Sequence, residues 1–412
     1  MPERRGTALP SYAVFAATLS AAGLPIYIHA PKFYVDSYGV SLSALGGVLF
    51  ALRLIDVVQD PALGWVASRT RAIRGLTVAV GAALLGLSML ALFALPPVGP
   101  PLLWFALCLT GLFSAFSFLT ICFYAQGVQT ADRLPGKGHL RLASWRETGA
   151  LLGVCVAAAA PTLLTGTGAP FALFAAGFAG LCVLAVLAMR REWDASAPDA
   201  PDGTGLALVL RDAVARRLLL IALVNAAPVA VSSTLFLFFV ESRLGAPGWE
   251  GPLLLLFFLA AAASASGWGW VAGRIGAKRT LLLAMVLAIL SFGYAAMLGT
   301  GDILPFALIC LASGAAVGAD LTLLPALFAR RMAVISPDAA QGFGLWSFVS
   351  KFALAFAAVT LLPLLEASGF SAGPDNSEGA LRALSLLYAL VPCALKLVAI
   401  ALLAATPLPE RT

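Results

Sequence analysis

Long apolar blocks, separated by short polar or basic clusters, run the length of this chain. "SLSALGGVLFAL" (41–52) contains no charge, and apolar runs of at least 18 residues recur from end to end. At 1.5 Å per residue, such a run crosses the hydrocarbon layer of a bilayer as a helix. The pattern therefore predicts membrane-spanning helices, with none of the strict alternation that marks strands. Twelve are expected, at 9–35, 41–68, 75–96, 101–128, 142–163, 170–189, 217–240, 251–273, 280–299, 303–329, 342–365 and 380–405. The first follows Met-Pro-Glu-Arg-Arg and is too long for a signal-peptide core, so it reads as a retained span.

Composition agrees with that class. Hydrophobic residues make up 61% of the chain and charged ones 11%, against about 25% charged in a soluble domain. The expectation is an all-α polytopic membrane protein, and the net charge of +6 then concerns topology, with no nucleic-acid partner. If the N-terminus is cytoplasmic, nineteen of the 26 Lys and Arg residues fall in inside segments, and only Arg243 and Arg382 fall in outside loops. This positive-inside bias puts both termini in the cytoplasm, for an integral protein of a bacterial inner (plasma) membrane acting as a monomer. The five remaining basic residues, Lys32, Arg53, Arg146, Lys351 and Lys396, lie in or at the edges of spans.

Motifs narrow the function classes. There is no Gly-Lys-Ser/Thr phosphate loop, no HExxH and no G-x-S-x-G, so nothing supports ATP hydrolysis or a hydrolase triad, and no cofactor is implied. The six cysteines stand singly in apolar spans without metal-ligand spacing and read as buried thiols. "DASAPDAPDGTG" (194–205) is a polar linker halfway along. It divides the chain into a first half (1–190), a linker region (191–216) and a second half (217–412). "LALVLRDAVARR" (206–217) has the spacing of a short interfacial helix or, equally, of the start of span seven.

The halves repeat. "FYVDS" (33–37) recurs as "FFVES" (238–242), and "GWVASR" (64–69) as "GWVAGR" (269–274), both at an offset of 205 residues. Two matches at one offset imply two related six-helix halves, the layout of major-facilitator transporters. The repeat also separates scaffold from function. At this offset Arg53, Asp56 and Asp60 of "RLIDVVQDPALGW" map to Phe258, Ala261 and Ala265, so the second half builds the same helix without charge.

Arg53, Asp56 and Asp60 lie on one helical face, where an ionisable group costs about 2.5–3.5 kcal/mol in mid-span. Two carboxylates a turn apart repel unless a proton or cation joins them, which points to Na⁺ or H⁺ as a coupling ion at Asp56 and Asp60. Gln59 adds an oxygen, and Pro61 frees a backbone carbonyl one turn back. The structural alternative is an ion pair in which Arg53 merely neutralises Asp56. The same offset pairs Arg146 with Lys351. Lys351 lies deep enough in its span to need a carboxylate, with Asp60, Asp56 or Asp320 as the choices. Arg146 is shallower and could snorkel, and Glu147 beside it points about 100° away, toward a basic loop. His29 and Lys32 flank Pro31, and Tyr124, Trp145 and Trp346 could stack on a substrate.

"RLIDVVQDPALGW" followed by a basic loop, with "FYVD", "SWRETGALLG" and "FVSKFALAFAAV", resembles the glycoside–pentoside–hexuronide:cation symporters (melibiose permease-like) of the major facilitator superfamily. The resemblance implies cation binding by Asp56 and Asp60, joined by a helix-four hydroxyl matched by Ser117, and coupling to Lys351. It also marks a departure. The family's two sugar-binding acids fall on Ser20 and Thr120, so the carboxylates that would hold a sugar are missing. Animal relatives carry lysophospholipids with Na⁺. The expected activity is therefore cation-coupled symport of a small organic or amphipathic solute, with a lipid translocase of the same fold as the alternative. A non-transporting sensor is disfavoured by the cost of unused charges in the membrane.

Overall fold

The computed structural model describes residues 9–193, 205–335, 339–370 and 376–407, and every regular element among them is helical. Twelve long helices and one short one follow in order: α1 (Leu9–Tyr38), α2 (Leu42–Arg69), α3 (Arg74–Phe93), α4 (Pro101–Arg133), α5 (Gly138–Leu163), α6 (Pro170–Met189), α7 (Gly205–Arg211), α8 (Ala213–Phe238), α9 (Glu250–Ile275), α10 (Ala277–Ala295), α11 (Ile303–Ile335), α12 (Ala340–Ala367) and α13 (Glu378–Ala405). The predicted spans match the long helices to within a turn or two at each end. Eight of the twelve pass as membrane spans on length and hydropathy alone, among the described residues. Those outside that set include α2, α5 and α12, the helices that carry Asp56 and Asp60, Arg146, and Lys351. The polytopic all-α fold is the expected one.

Contacts group the chain into two compact units, Met1–Val209 with Met332–Phe348, and Leu210–Arg331 with Val349–Thr412. In the first unit α1 packs on α5 and α6, α3 on α4 and α6, and α2 on α4. The α1–α5 contact is backbone to backbone. A Cβ placed on Gly149 or Gly153 would meet the backbone of Ala13 or Ala17, each at 2.6 Å from Cα. Small residues four apart on both helices allow that approach, as they do where no hydrophobic force drives helices together. An aromatic cluster closes the far end of α1: Tyr34, fully buried, stacks near Phe105 at 4.8 Å and donates to the Leu92 carbonyl at 3.1 Å.

In the second unit α13 packs on α8 and α10, and α9 on α10. Phe239, the repeat partner of Tyr34, is equally buried and stacks on Tyr388 at 4.3 Å. Here the "FFVES" copy departs from its model, because α8 ends in a wider π-type turn at Phe239–Arg243. The other repeated motif is explained by its ends. Arg69 lies over the Trp65 ring at 5.3 Å and Arg274 over Trp270 at 3.5 Å, a cation–π pair worth about 0.5–1 kcal/mol at an exposed site. The motif is thus kept for how it finishes a helix.

α7 and α8 are separate helices, so 206–211 lies in a short helix of its own and 213–217 opens span seven. Asp212 breaks them: its carboxylate caps α8 by accepting from the Ala215 amide at 2.7 Å. It also receives two bonds from Arg331, one from Nε at 2.9 Å and a second, shorter one from the terminal guanidinium nitrogen. The Arg331 bonds hold the Asp212 carboxyl below the usual carboxylate range. Residues 194–204 of the predicted linker lie outside the described residues.

Two outcomes follow from this packing. Gly153→Val should lower stability by about 1–3 kcal/mol, the cost of overpacking, read as a fall in the thermal unfolding midpoint of the purified protein. Asp212→Asn keeps a capping side chain and removes only the charge. Because the native carboxyl is depressed, its contribution is present above about pH 4 and lost as pH falls further. The wild type should therefore lose about 1 kcal/mol below pH 4, and the Asn variant should lack that step.

Candidate functional site

α2 carries Asp56 and Asp60 near its middle, and Asp56 faces α4. Both are buried, at 5% and 0% exposure. Asp56 Oδ1 accepts from Gln59 Nε2 at 2.7 Å and from the Ser117 hydroxyl at 3.1 Å. Ser114, one turn before Ser117 on α4, donates to Gln59 Oε1 at 3.0 Å. A relay Ser114–Gln59–Asp56–Ser117 therefore ties the two helices together through oxygen-rich groups. Ser117, proposed only by resemblance, stands at the carboxylate. Ser114 escaped the sequence reading, although its spacing of three from Ser117 puts both on one face of α4.

The repeat supplies a control inside the same protein. Ala261 and Ala265, which replace Asp56 and Asp60, are fully buried in α9. α9 approaches α11 backbone to backbone: a Cβ on Gly318 would meet the Ala261 carbonyl at 2.6 Å, and one on Gly314 the Phe257 carbonyl. In the second unit Ser264 and Trp268 of α9 donate to the Ala315 carbonyl beside that close approach, whereas in the first a buried carboxylate meets an amide and hydroxyls. Polar groups that the packing does not require need another reason to be there.

Chemically the set is carboxylate, amide and hydroxyl with no sulfur or imidazole, which suits Na⁺ or a proton and not a soft transition metal. Among the described residues no group of three or more His, Cys, Asp or Glu gathers. A metal cation would therefore rest on the aspartates and neutral oxygens together. The Asp60 end of α2 also lies against the start of α12 within the first unit. A Cβ on Gly344 would meet the Asp60 carbonyl oxygen at 2.9 Å, and one on Gly64 would meet the Gly344 Cα at 3.3 Å.

A second buried polar group in this unit corrects the sequence expectation. Arg146 does not snorkel; it is 5% exposed. Glu147 does not turn to a basic loop: it accepts from Arg146 Nε at 2.7 Å and from the Tyr124 hydroxyl at 3.3 Å. The guanidinium lies 3.9 Å from the Tyr124 ring centre, and Tyr124 packs on Phe343 at 5.1 Å. Adjacent helical residues diverge at Cβ, but long side chains gathered by one aromatic ring can reconverge. Tyr124, offered as a residue that could stack on a substrate, has its ring under the Arg146 cation.

The pairing of Arg146 with Lys351 also needs correction. The turn between α2 and α3 spans four residues, 70–73, and that between α9 and α10 only Gly276. Beyond it the helix starts differ by 202 for α4 and α11 and again by 202 for α5 and α12. Arg146 is then the ninth residue of its helix and Lys351 the twelfth, so they share a helix and burial but not a register. Lys351 is 9% exposed.

Asp320, one of three acids offered to Lys351, is bonded to Lys396 within the second unit. Lys396 was not singled out, although a lone ammonium deep in a span is the same signal that marked Lys351. Ser20 and Trp346 are half-buried. Thr120 is half-buried too, with its hydroxyl buried and not hydrogen-bonded. The side chains of His29, Lys32 and Arg53 lie outside the described residues, so the proposed Arg53–Asp56 pair has no description here.

Known proteins place this geometry. The family model for MFS/sugar transport proteins matches residues 10–410, while curated protein sequences give no match. Among solved structures, the chain is similar to a bacterial homologue of the iron transporter ferroportin in an outward-facing state, at TM-score 0.72 and 14% identity, over 96% of this chain and 97% of that one. It is also similar to the human organic anion transporter MFSD10 (TETRAN), at TM-score 0.62 and 17% identity, over 98% of this chain and 100% of that one. At such identities these structures share the fold.

Ser117→Ala removes a hydroxyl donor from a buried carboxylate, a loss of about 1.5–3 kcal/mol. The expected result is a lower thermal midpoint than wild type, whereas Ser117→Ala in an Asp56→Ala background should cost little. A full-sized penalty in that background would show that Ser117 does not act through Asp56.

Proposed function

The chain belongs to the MFS/sugar transport protein family, and from that membership we propose a cation-coupled symporter that moves a small organic or amphipathic solute by alternating access. It is a transporter and not an enzyme. The observation that carries the finer reading is the Asp56 cluster. Its carboxylate receives hydrogen bonds from two neutral groups, Gln59 and Ser117, at a position where the sister unit has alanine. A buried carboxylate beside an amide and hydroxyls offers hard oxygen ligands of the kind that Na⁺ takes, and a carboxylate can equally carry a proton.

Coupling requires that the cation bind one conformational state better than the other. The contact between the Asp60–Gly64 segment and Ala340–Gly344 offers a route, because a cation that reshapes the Asp60 turn acts directly on the start of α12. Lys351 lies on the same helix, two turns further on. The resemblance to the glycoside–pentoside–hexuronide:cation symporters supports Asp56 and Asp60 as the cation ligands and Lys351 as their coupling partner. Ser20 and Thr120, where that resemblance would place sugar-binding acids, argue for a solute other than the family's galactosides. The ferroportin homologue and the organic anion transporter, which share the fold, show that this architecture serves chemically unlike cargoes.

Thermal stability with and without Na⁺ over a pH range tests the reading. A ligand at 100 times its dissociation constant stabilises by about 2.7 kcal/mol, so Na⁺ should raise the midpoint of the wild type in a pH-dependent way. Asp56→Asn should abolish the rise while leaving a folded protein. In vesicles, gradient-driven solute accumulation by Asp56→Asn/Asp60→Asn at the wild-type level would sink the assignment.

A further inference from the structure

The second unit holds a buried charge cluster that the cation site does not use. Asp320 lies at the middle of α11, the eighteenth of 33 residues, and is 6% exposed. The Lys396 ammonium of α13, 3% exposed, donates to Asp320 Oδ2 and, at 2.6 Å, to Asn225 Oδ1 of α8. Asn225 also lies beside the Asp320 carboxylate. Asp320 Oδ1 nevertheless is buried and completes no hydrogen bond. Lys396 compensates the carboxylate from one side only.

Three features separate this cluster from an ordinary packing pair. Counted from the helix starts, the position of Asp320 is held in α4 by Phe118, and that of Asn225 in α1 is Ala21, so the sister unit builds the same helices without the pair. Each helix that presents the cluster also contains a proline close by: Pro228 three residues after Asn225, Pro325 five after Asp320, and Pro392 four before Lys396. Such prolines free carbonyls and let a helix bend locally. Lastly, Lys396 lines a cleft of about 20 Å³ walled by Pro228, Phe257, Ile289, Phe292 and Pro392, large enough for one water.

We propose that Asp320, Lys396 and Asn225 form a proton-binding site in the second unit, with Asp320 as the carrier. A hydronium reaching the cleft gives its proton to Lys396 as Lys396 passes one of its own to Asp320 Oδ2, leaving water, an ammonium and a neutral carboxylic acid. Lys396 stays an ammonium, keeps Asn225, and turns its released N–H toward the cleft. The cluster goes from neutral to a charge of +1. The ammonium already in place repels a metal cation, whereas a proton enters along the existing Lys396–Asp320 contact. The surroundings leave this pair to govern itself. The titratable groups of α13 that line the cleft are Lys396 and the Cys393 thiol. α8 carries no charge between Arg217 and its end, α9 none between Glu250 and Arg274, and α10 none beyond Arg279. On α11 itself the next charges are Arg330 and Arg331, and α12, in its part within this unit, carries Lys351 and Glu366. The site is chemically separate from Asp56 and Asp60 and does not depend on which cation they take.

Infrared spectroscopy of the full-length protein in lipid, titrated with pH, reads this directly through the carbonyl stretch of a protonated carboxylic acid. A band that grows on acidification is expected in wild type and in Asp56→Asn, and its loss in Asp320→Asn. Lys396→Met should show the acid band already at neutral pH, since the carboxylate has lost its only cation, and Asp320→Asn/Lys396→Met should lack it. If the single variants fail to fold, the double variant, which leaves no charge unmatched, carries the comparison with wild type alone. Acid bands of equal size in wild type and either Asn variant at position 320 would overturn the proposal. So would Lys396→Met without the band.

Discussion

A charge inside an apolar helix bundle has no bulk water to turn to, so the protein must supply the polar group that answers it. An ionisable side chain at mid-span costs about 2.5–3.5 kcal/mol even on lenient scales, and an unanswered one costs more. The arrangement of the polar interior follows from that constraint. Asp56 is answered by an amide and a hydroxyl, Arg146 by Glu147 and the face of Tyr124, and Asp320 by Lys396 with Asn225 beside them.

How a charge is answered decides what can be done with it. Arg146 and Glu147 carry opposite whole charges one residue apart on one helix, braced by an aromatic ring, and separating them would leave two buried ions. Asp56 accepts from two neutral donors, Gln59 and Ser117. Neutral donors orient a carboxylate without cancelling its charge. The Asp320 cluster stands between these cases, with full charges paired on one side of the carboxylate and a bare oxygen on the other.

The duplicated architecture shows which of these groups the helices need. The copied motifs are structural: Tyr34 and Phe239 are buried aromatic centres, and Arg69 and Arg274 cover the tryptophans one turn before them. The polar clusters are not copied. Where the first unit links α2 and α4 through Asp56, Gln59, Ser114 and Ser117, the second brings α9 onto α11 at Gly314 and Gly318. Asp56 and Asp60 stand where the sister unit has alanine, and Asp320 where it has phenylalanine. Duplication provided one scaffold, and the two copies then diverged at the helix interfaces.

Helix number, the approximate ends of each span and the isolation of Asp56 and Asp60 were all legible in the residues themselves. The reason is that hydrophobic run length and position within a run are local properties, and an exact repeat compares two local environments directly. Partners were not legible in this way. Spacing along one helix says nothing about which neighbour faces it, so the Ser114 relay, the Arg146–Glu147–Tyr124 group and the Asp320–Lys396 pair emerged only once α4, α5 and α13 were packed in place. The matching of Arg146 to Lys351 went astray for a related reason. A turn of four residues in one unit is a single glycine in the other, and that shift of register is visible only in where the helices begin. Sequence located the charges, and tertiary packing decided what each one meets.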